Sequence, residues 1–316
     1  MKSHKVALVG AIALVATVLV VIGFEATAQN RAERPSAPAS AAVPERNEIV
    51  RLSAAAKPAP RASSTASALE AFDGAAARNV QLGTSVAWAF GGKQQRGWHI
   101  YTPLIANLIG AEPEVASSEF ARQISLWEGT QRIAPSGVLD GDVWSHMIST
   151  FQSQRLKDWT HPIPDELITI PTADCYDPSR PEELRKARSE TYAAYKRMVT
   201  AAAADPSLGL KVTQDGRLSS DEKFLKIVSA YRSQEYQDQL RKQSPRSGSA
   251  GLATHSPHST GRALDLYVGG EPVNTKDENR ALQTHGPVYR WLVKNAGSFG
   301  FRPYFYEPWH WEYVGK

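Results

Sequence analysis

Two short stretches in the last third of the chain alternate with a period of two, and each carries chemically active residues on one side. From Ala263 to Val268, Leu264, Leu266 and Val268 share one face, while Ala263, Asp265 and Tyr267 share the other. A strand that buries the leucines points Asp265 away from them, toward a cleft. From Trp309 to Val314, Trp309, Trp311 and Tyr313 form an aromatic face, with His310, Glu312 and Val314 opposite. Glu307 stands three residues before His310, an offset that would put it on the wrong face of a straight strand. Pro308 resolves this: it cannot donate to a ladder and marks a strand's first residues or a bend. Glu307 is therefore expected in a loop at the mouth of the strand that carries His310. Gly261 permits a tight turn between His258 and Asp265.

The two stretches, with the residues just before them, supply the parts of a hydrolytic metal centre. His258, Asp265 and His310 offer two imidazoles and one carboxylate, and Glu307 is a spare carboxylate beside the last of them. A catalytic zinc takes three protein ligands and keeps a position open for water, and a nearby carboxylate that is not a ligand can accept that water's proton. Taken singly, each residue has a plainer reading. A histidine beside a tryptophan is most often packed or solvated, and a buried aspartate on a strand is most often a cap or an ion-pair partner. Neither a Gly-x-Ser-x-Gly nor a Ser-x-x-Lys set with a Lys-Thr-Gly partner occurs, so nothing points to a serine nucleophile.

The pattern Ser256-x-His258-x-x-Gly261-x-Ala263-x-Asp265, followed by Glu307-x-Trp309-His310, resembles the VanY-type D-alanyl-D-alanine carboxypeptidases. These sit in the wider group of lysostaphin-type and hedgehog-type zinc folds. A third segment, Ser229-Ala230-Tyr231-Arg232-Ser233 with Gln237, is similar to that family's Ser-Gly-Tyr-Arg-Ser strand end and helix, with Ala230 in place of the usual glycine. A looser match is Tyr176-Asp177-Pro178 with Arg180 to Leu184 and a long helix after it, so the resemblance spans about residues 165–316. It implies Zn2+ held by His258, Asp265 and His310, with Glu307 as general base and acid. It further implies Arg232 on substrate oxygens, and Ser256 and Gln237 near the substrate's terminal carboxylate or peptide groups. A planar, permanently charged guanidinium suits that task; the plainer alternative for Arg232 is an ion pair with Glu235 or Asp238. His255 is read as a rim residue rather than a ligand. The implied activity is a peptidase acting on peptidoglycan stem peptides, removing a terminal D-Ala. An endopeptidase, an L,D-carboxypeptidase and an inactive wall-binding protein are the alternatives.

The rest of the chain suits an exported protein. Residues 6–24 are uncharged and apolar and follow Lys2 and Lys5; Ala26-Thr27-Ala28 offers a small-x-small cleavage site. Residues 1–28 are thus a signal peptide or an inner-membrane anchor, and the length favours the anchor. Either way the remainder is exported to the periplasm or cell envelope. Residues 29–81, rich in Ala, Pro, Ser and Arg in their first part, are expected to be a disordered tether. Residues 82–157 are expected to form a small helical unit similar to peptidoglycan-binding domains. In it Ser118 caps a helix carrying Phe120, Ile124 and Trp127, and a second helix carries Val143, Trp144, Met147, Ile148 and Phe151. Residues 158–316 are expected to be α+β: an antiparallel sheet carrying the zinc site, with flanking helices. One of these helices should open at Ser179 and Pro181. The formal net charge of +4 and a pI near 9.0 suit an anionic wall or membrane surface. No basic run or nucleic-acid motif accompanies that charge, so no nucleic-acid partner is expected. The single cysteine, Cys175, excludes an internal disulfide.

Overall fold

The computed structural model describes residues 68–243 and 256–315. The apolar run at 6–24, most of the expected tether, the loop after Gln243 and His255 lie outside them. No helix among the described residues is long and apolar enough to cross a membrane.

The fold mixes helices with antiparallel sheet. Helix α1 (Asp73–Ser85), hairpin strands β1 (Ala87–Phe90) and β2 (Lys93–Arg96), and helices α2 (Thr102–Ile109), α3 (Ser118–Thr130) and α4 (Gly141–Ser153) come first. Strand β3 (Leu167–Thr169) pairs with β4 (Lys186–Arg188), and helix α5 (Ser189–Ala203) follows directly. The remaining elements are β5 (Ile227–Ser229), α6 (Gln234–Gln243), β6 (Ala263–Leu266), α7 (Asp277–His285), α8 (Pro287–Asn295), β7 (Phe301–Pro303) and β8 (His310–Tyr313). Strands β5, β6, β8 and β7, in that spatial order, form one antiparallel sheet.

Three local expectations need correction. Residues 73–81, placed in the tether, are helical, because the alanine-rich start of α1 has high helix propensity and α1 buries Ala76, Asn79 and Gly83. The cap of α3 is Ser117 rather than Ser118: its hydroxyl accepts from Phe120 N at 3.1 Å. No α-helix opens at Pro181. A 3₁₀ turn at Glu182–Leu184 leads into β4, and the helix starts at Ser189. Lys186 and Arg188 are held extended by tertiary backbone bonds, Tyr231 N to Lys186 O at 2.8 Å and Arg188 N to Gly261 O at 3.0 Å. The hairpin β1–β2 went unread although its signal is present. Gly91 and Gly92 both have positive φ between two four-residue strands, the signature of a two-residue hairpin turn.

The core runs without a break from the helical segment to the sheet. Trp88 and Trp144 meet edge to face at 5.4 Å, and Phe305, from the turn between β7 and β8, enters the same cluster against Phe90 at 4.8 Å and Phe151 at 6.2 Å. On the sheet's other side Trp311 meets Tyr289 of α8 at 6.2 Å. Cys175 is buried and unpaired.

One buried carboxylate pins the helical segment. Glu128, fully buried near the end of α3, accepts from Ser136 N at 2.6 Å, Ser136 Oγ at 2.8 Å and Gly137 N at 2.8 Å. Glu128→Ala strands those backbone donors and should cost about 3 kcal/mol. The check is the urea midpoint, which should fall while metal content per folded chain stays unchanged.

Candidate metal centre

The sheet register builds the site. Ser229 on β5, Asp265 on β6 and His310 on β8 stand opposite one another across three adjacent strands. Because side chains directly opposite share a face, the alternation that buries Leu264 and Leu266 brings Asp265 and His310 together. His258 arrives from the 3₁₀ turn Pro257–Thr260, which ends at Gly261 with φ +70°. A Cβ at Gly261 would meet Arg188 and Leu167 atoms at 3.1–3.2 Å, so the tight return to β6 requires glycine. Ser256 caps this turn, its hydroxyl accepting from His258 N at 3.4 Å.

His258, Asp265 and His310 each offer an atom within 4.8 Å of the others, and all three are buried. His258 Nδ1 lies 2.7 Å from Ala230 O, which fixes its proton there and leaves Nε2 as a bare lone pair. That Nε2 faces Asp265 Oδ1 at 3.3 Å yet makes no hydrogen bond among the described residues. A buried lone pair aimed at a carboxylate, with no proton between them, is a place for a cation. His310 is held in a matching way: Nδ1 is 3.0 Å from Asp265 Oδ1, and Nε2 is 3.2 Å from Glu312 Oε1. Each ring therefore has one nitrogen turned inward and the other anchored to an acceptor, the usual arrangement around a metal-ligating histidine.

Titration of the metal-free site fits this geometry. Burial, then the nearby Arg232 charge, push His258 down to about 4. Burial would also lower His310, but bonding to Asp265 and Glu312 outweighs it and raises the ring to about 9. Burial alone would raise Asp265; His258 and His310 hold it well below the ordinary carboxylate range. With His258 neutral, the positive charge against Asp265 rests on His310 and Arg232.

Glu307 lies in the turn between β7 and β8, fixed by its own backbone: Glu307 N donates to Tyr304 O at 3.2 Å and His310 N donates to Glu307 O at 2.9 Å. Its carboxyl is 1 % exposed, and burial raises it to about 7, with the His310 charge pulling the other way. A carboxyl poised there can both take and return a proton near neutrality. The same shift sets a stability effect in metal-free protein. Between about 4.5 and 7 the native state holds a proton that the unfolded chain has lost, so stability falls as pH rises through that window. Glu307→Gln should remove this fall, making the metal-free variant more stable than the metal-free parent by about 3 kcal/mol at pH 8 and equal to it near pH 4. Denaturant unfolding in chelator across pH measures the difference.

Arg232, whose side chain is 12 % exposed, forms an ion pair with Asp265. Its Nη2 donates to Asp265 Oδ2 at 3.2 Å and to Ser229 Oγ at 3.1 Å. Gln237 lies on α6. The sequence reading missed Ser229, the Ala230 carbonyl and Glu312. Glu312 was within its reach, since it shares the alternating face of His310.

Residues 184–316 match the VanY family, D-alanyl-D-alanine carboxypeptidase. His258, Asp265, His310, Glu307, Arg232, Ser229 and Glu312 all fall within this match. No curated protein matches the chain. Among solved structures, the chain is similar to the LD-carboxypeptidase LdcB, in work on the molecular basis of peptidoglycan recognition. Identity is 23%, covering 49% of this chain and 71% of that one, with a TM-score of 0.34. It is also similar to VanYB in complex with D-alanine-D-alanine, at 21% identity, 41% and 72% coverage and a TM-score of 0.27. A third is a mutant of the vancomycin-resistance D,D-pentapeptidase VanY in complex with Zn(II), at 22% identity, 41% and 74% coverage and a TM-score of 0.26.

Proposed function

We propose that this protein is an exported zinc-dependent peptidase that removes the terminal D-Ala from peptidoglycan stem peptides. The observation that carries the reading is the buried His258 Nε2 lone pair facing Asp265, with His310 turned to the same point and Glu307 beside them. His258, Asp265 and His310 would hold the zinc, which when bound supplies a Lewis acid and brings the pKa of a water down to about 7. Glu307 accepts a proton from the attacking water through its carboxylate and delivers it to the nitrogen of the leaving D-Ala as the C–N bond breaks. The Arg232 guanidinium faces the oxygen on which negative charge develops, or the substrate's own carboxylate. Ser256 and Gln237 are proposed to border the terminal carboxylate, although the Ser256 hydroxyl is also engaged in holding the His258 turn.

The test is to incubate the purified zinc-loaded protein with a stem pentapeptide, a tetrapeptide and cross-linked wall fragments, and to weigh the products. Loss of one D-Ala from the pentapeptide supports the D,D reading. Loss from the tetrapeptide alone makes it an L,D-carboxypeptidase, and release of cross-links makes it an endopeptidase. No product from any of them leaves a wall-binding protein.

The export reading rests on residues 6–24 and their basic flank. A reporter fused after Ser67 that works only outside the cytoplasm should be active. A native protein found soluble and starting at Gln29 would replace the anchor with a cleaved signal.

A further inference from the structure

Arg155 lies before the VanY-like match, in the stretch just after α4, yet it reaches the ligand set through one intermediary. Its Nε donates to Glu312 Oε1 at 3.0 Å, and Nη2 donates to the same oxygen. The next residue adds a backbone bond, Leu156 N to Glu312 Oε2 at 2.9 Å. Glu312 Oε1 in turn faces His310 Nε2 at 3.2 Å. Arg155 is 7 % exposed and Glu312 is 1 % exposed, so neither is a solvated surface group. The guanidinium also lies over the Tyr304 ring at 4.0 Å, and Tyr304 meets His310 edge to face at 5.8 Å. Tyr304 begins the turn that carries Glu307, and its neighbour Phe305 is packed among Trp88, Trp144 and Phe151 of the helical segment.

A buried carboxylate with two oxygens can turn, and a turned carboxylate no longer specifies which imidazole nitrogen keeps the proton. Arg155 and the Leu156 amide occupy both oxygens of Glu312 and fix its plane. Glu312 then holds the proton on His310 Nε2, so that Nδ1, on the side facing Asp265 and His258, is the nitrogen left to bind a metal. A planar fork stacked on an aromatic ring does this better than a point charge.

We propose that Arg155 is a positioning residue of the metal centre: by locking Glu312 it orients His310 as a ligand, which makes the helical segment before the VanY-like match an integral part of the site rather than a detachable module. This rests on the reading of His258, Asp265 and His310 as metal ligands.

The experiment compares the parent protein, Arg155→Met, Arg155→Lys and, as a control, Arg122→Met. Arg122 forms an exposed pair with Glu119 on α3 of the same segment. Metal-free samples are titrated with zinc against a chromophoric chelator and with cobalt(II) under visible spectroscopy, and kcat and KM are measured separately. Loss of an outer partner of a ligating histidine typically weakens metal binding 10–100-fold. Arg155→Met should show a loss of about that size, an altered cobalt spectrum, and a lower kcat with little change in KM. Arg155→Lys should fall between it and the parent, and Arg122→Met should match the parent. If Arg155→Met fails to fold by circular dichroism, Arg155→Lys decides: a folded Lys variant with parental affinity and spectrum overturns the inference. A folded Arg155→Met indistinguishable from the parent overturns it equally while leaving the metal reading intact. A parent protein that takes up no metal overturns both.

Discussion

Glu307→Gln is expected to keep zinc and fold while turnover on a D-Ala-D-Ala-ended peptide falls by ~10²–10⁴. The substitution is nearly isosteric, and the backbone bonds that shape the turn, Glu307 N to Tyr304 O and His310 N to Glu307 O, do not involve the side chain. What is lost is the ability to accept a proton. Burial raises this carboxyl above the ordinary carboxylate range in the metal-free site, which suits a group that both takes and returns a proton, and an amide can do neither. KM should move little, because the proton transfer belongs to the transition state rather than to the bound substrate. Arg232→Ala should behave differently, raising KM as well as lowering kcat, since substrate and transition state both feel its charge. It carries a side effect that Glu307→Gln lacks: Asp265 Oδ2 and Ser229 Oγ lose their donor, so zinc content must be measured alongside. Near-normal kcat in Glu307→Gln with full zinc occupancy would remove Glu307 from the chemistry.

Much of the site was legible because it is local or strictly periodic. His258, Gly261 and Asp265 are linked by a turn and a strand start. Asp265 and His310 follow from alternation, because a strand that buries Leu264 or Trp311 must present the neighbouring residue on its other face. The position of Glu307 followed from Pro308. Even Glu312 was on view, two residues beyond His310 on the same face. Arg155 was not, because no local rule connects it with Glu312 across 157 residues of chain. The false helix start at Pro181 has a similar origin. Proline at a first helical position is a sound local signal, but Lys186 and Arg188 instead form backbone bonds to Tyr231 and Gly261, which tie β4 to the turn that carries His258. The hairpin β1–β2 is the opposite case, a local signal at Gly91-Gly92 that was present and passed over. These two errors thus fall where tertiary pairing outranks propensity and where a short strand pair hides among helices.

The second large effect concerns the metal itself. The parent protein should carry close to one zinc per chain, and His258→Ala should carry only a trace. His258 presents Nε2 to the site because Ala230 O holds the proton on Nδ1 at 2.7 Å, so alanine removes a ligand that, like the ionised Asp265, needs no proton release before binding. His310, raised to about 9 without metal, must surrender its Nδ1 proton first. Two ligands, one of them still protonated at neutral pH, are a poor trap for a cation, whereas three buried ones are a good one. Elemental analysis of purified protein measures the stoichiometry. An independent readout is thermal: a ligand that binds only the native state stabilises it by about 4 kcal/mol at a thousandfold excess over Kd. The parent should therefore melt higher with zinc than with chelator, and His258→Ala should melt at the same temperature in both. His255→Ala is the sharpest comparison, since His255 is three residues away and equally able to bind metal in principle. It should retain full zinc and the full thermal response. If instead His255→Ala loses the metal and His258→Ala keeps it, the ligand is His255, and the lone pair between His258 and Asp265 has another purpose.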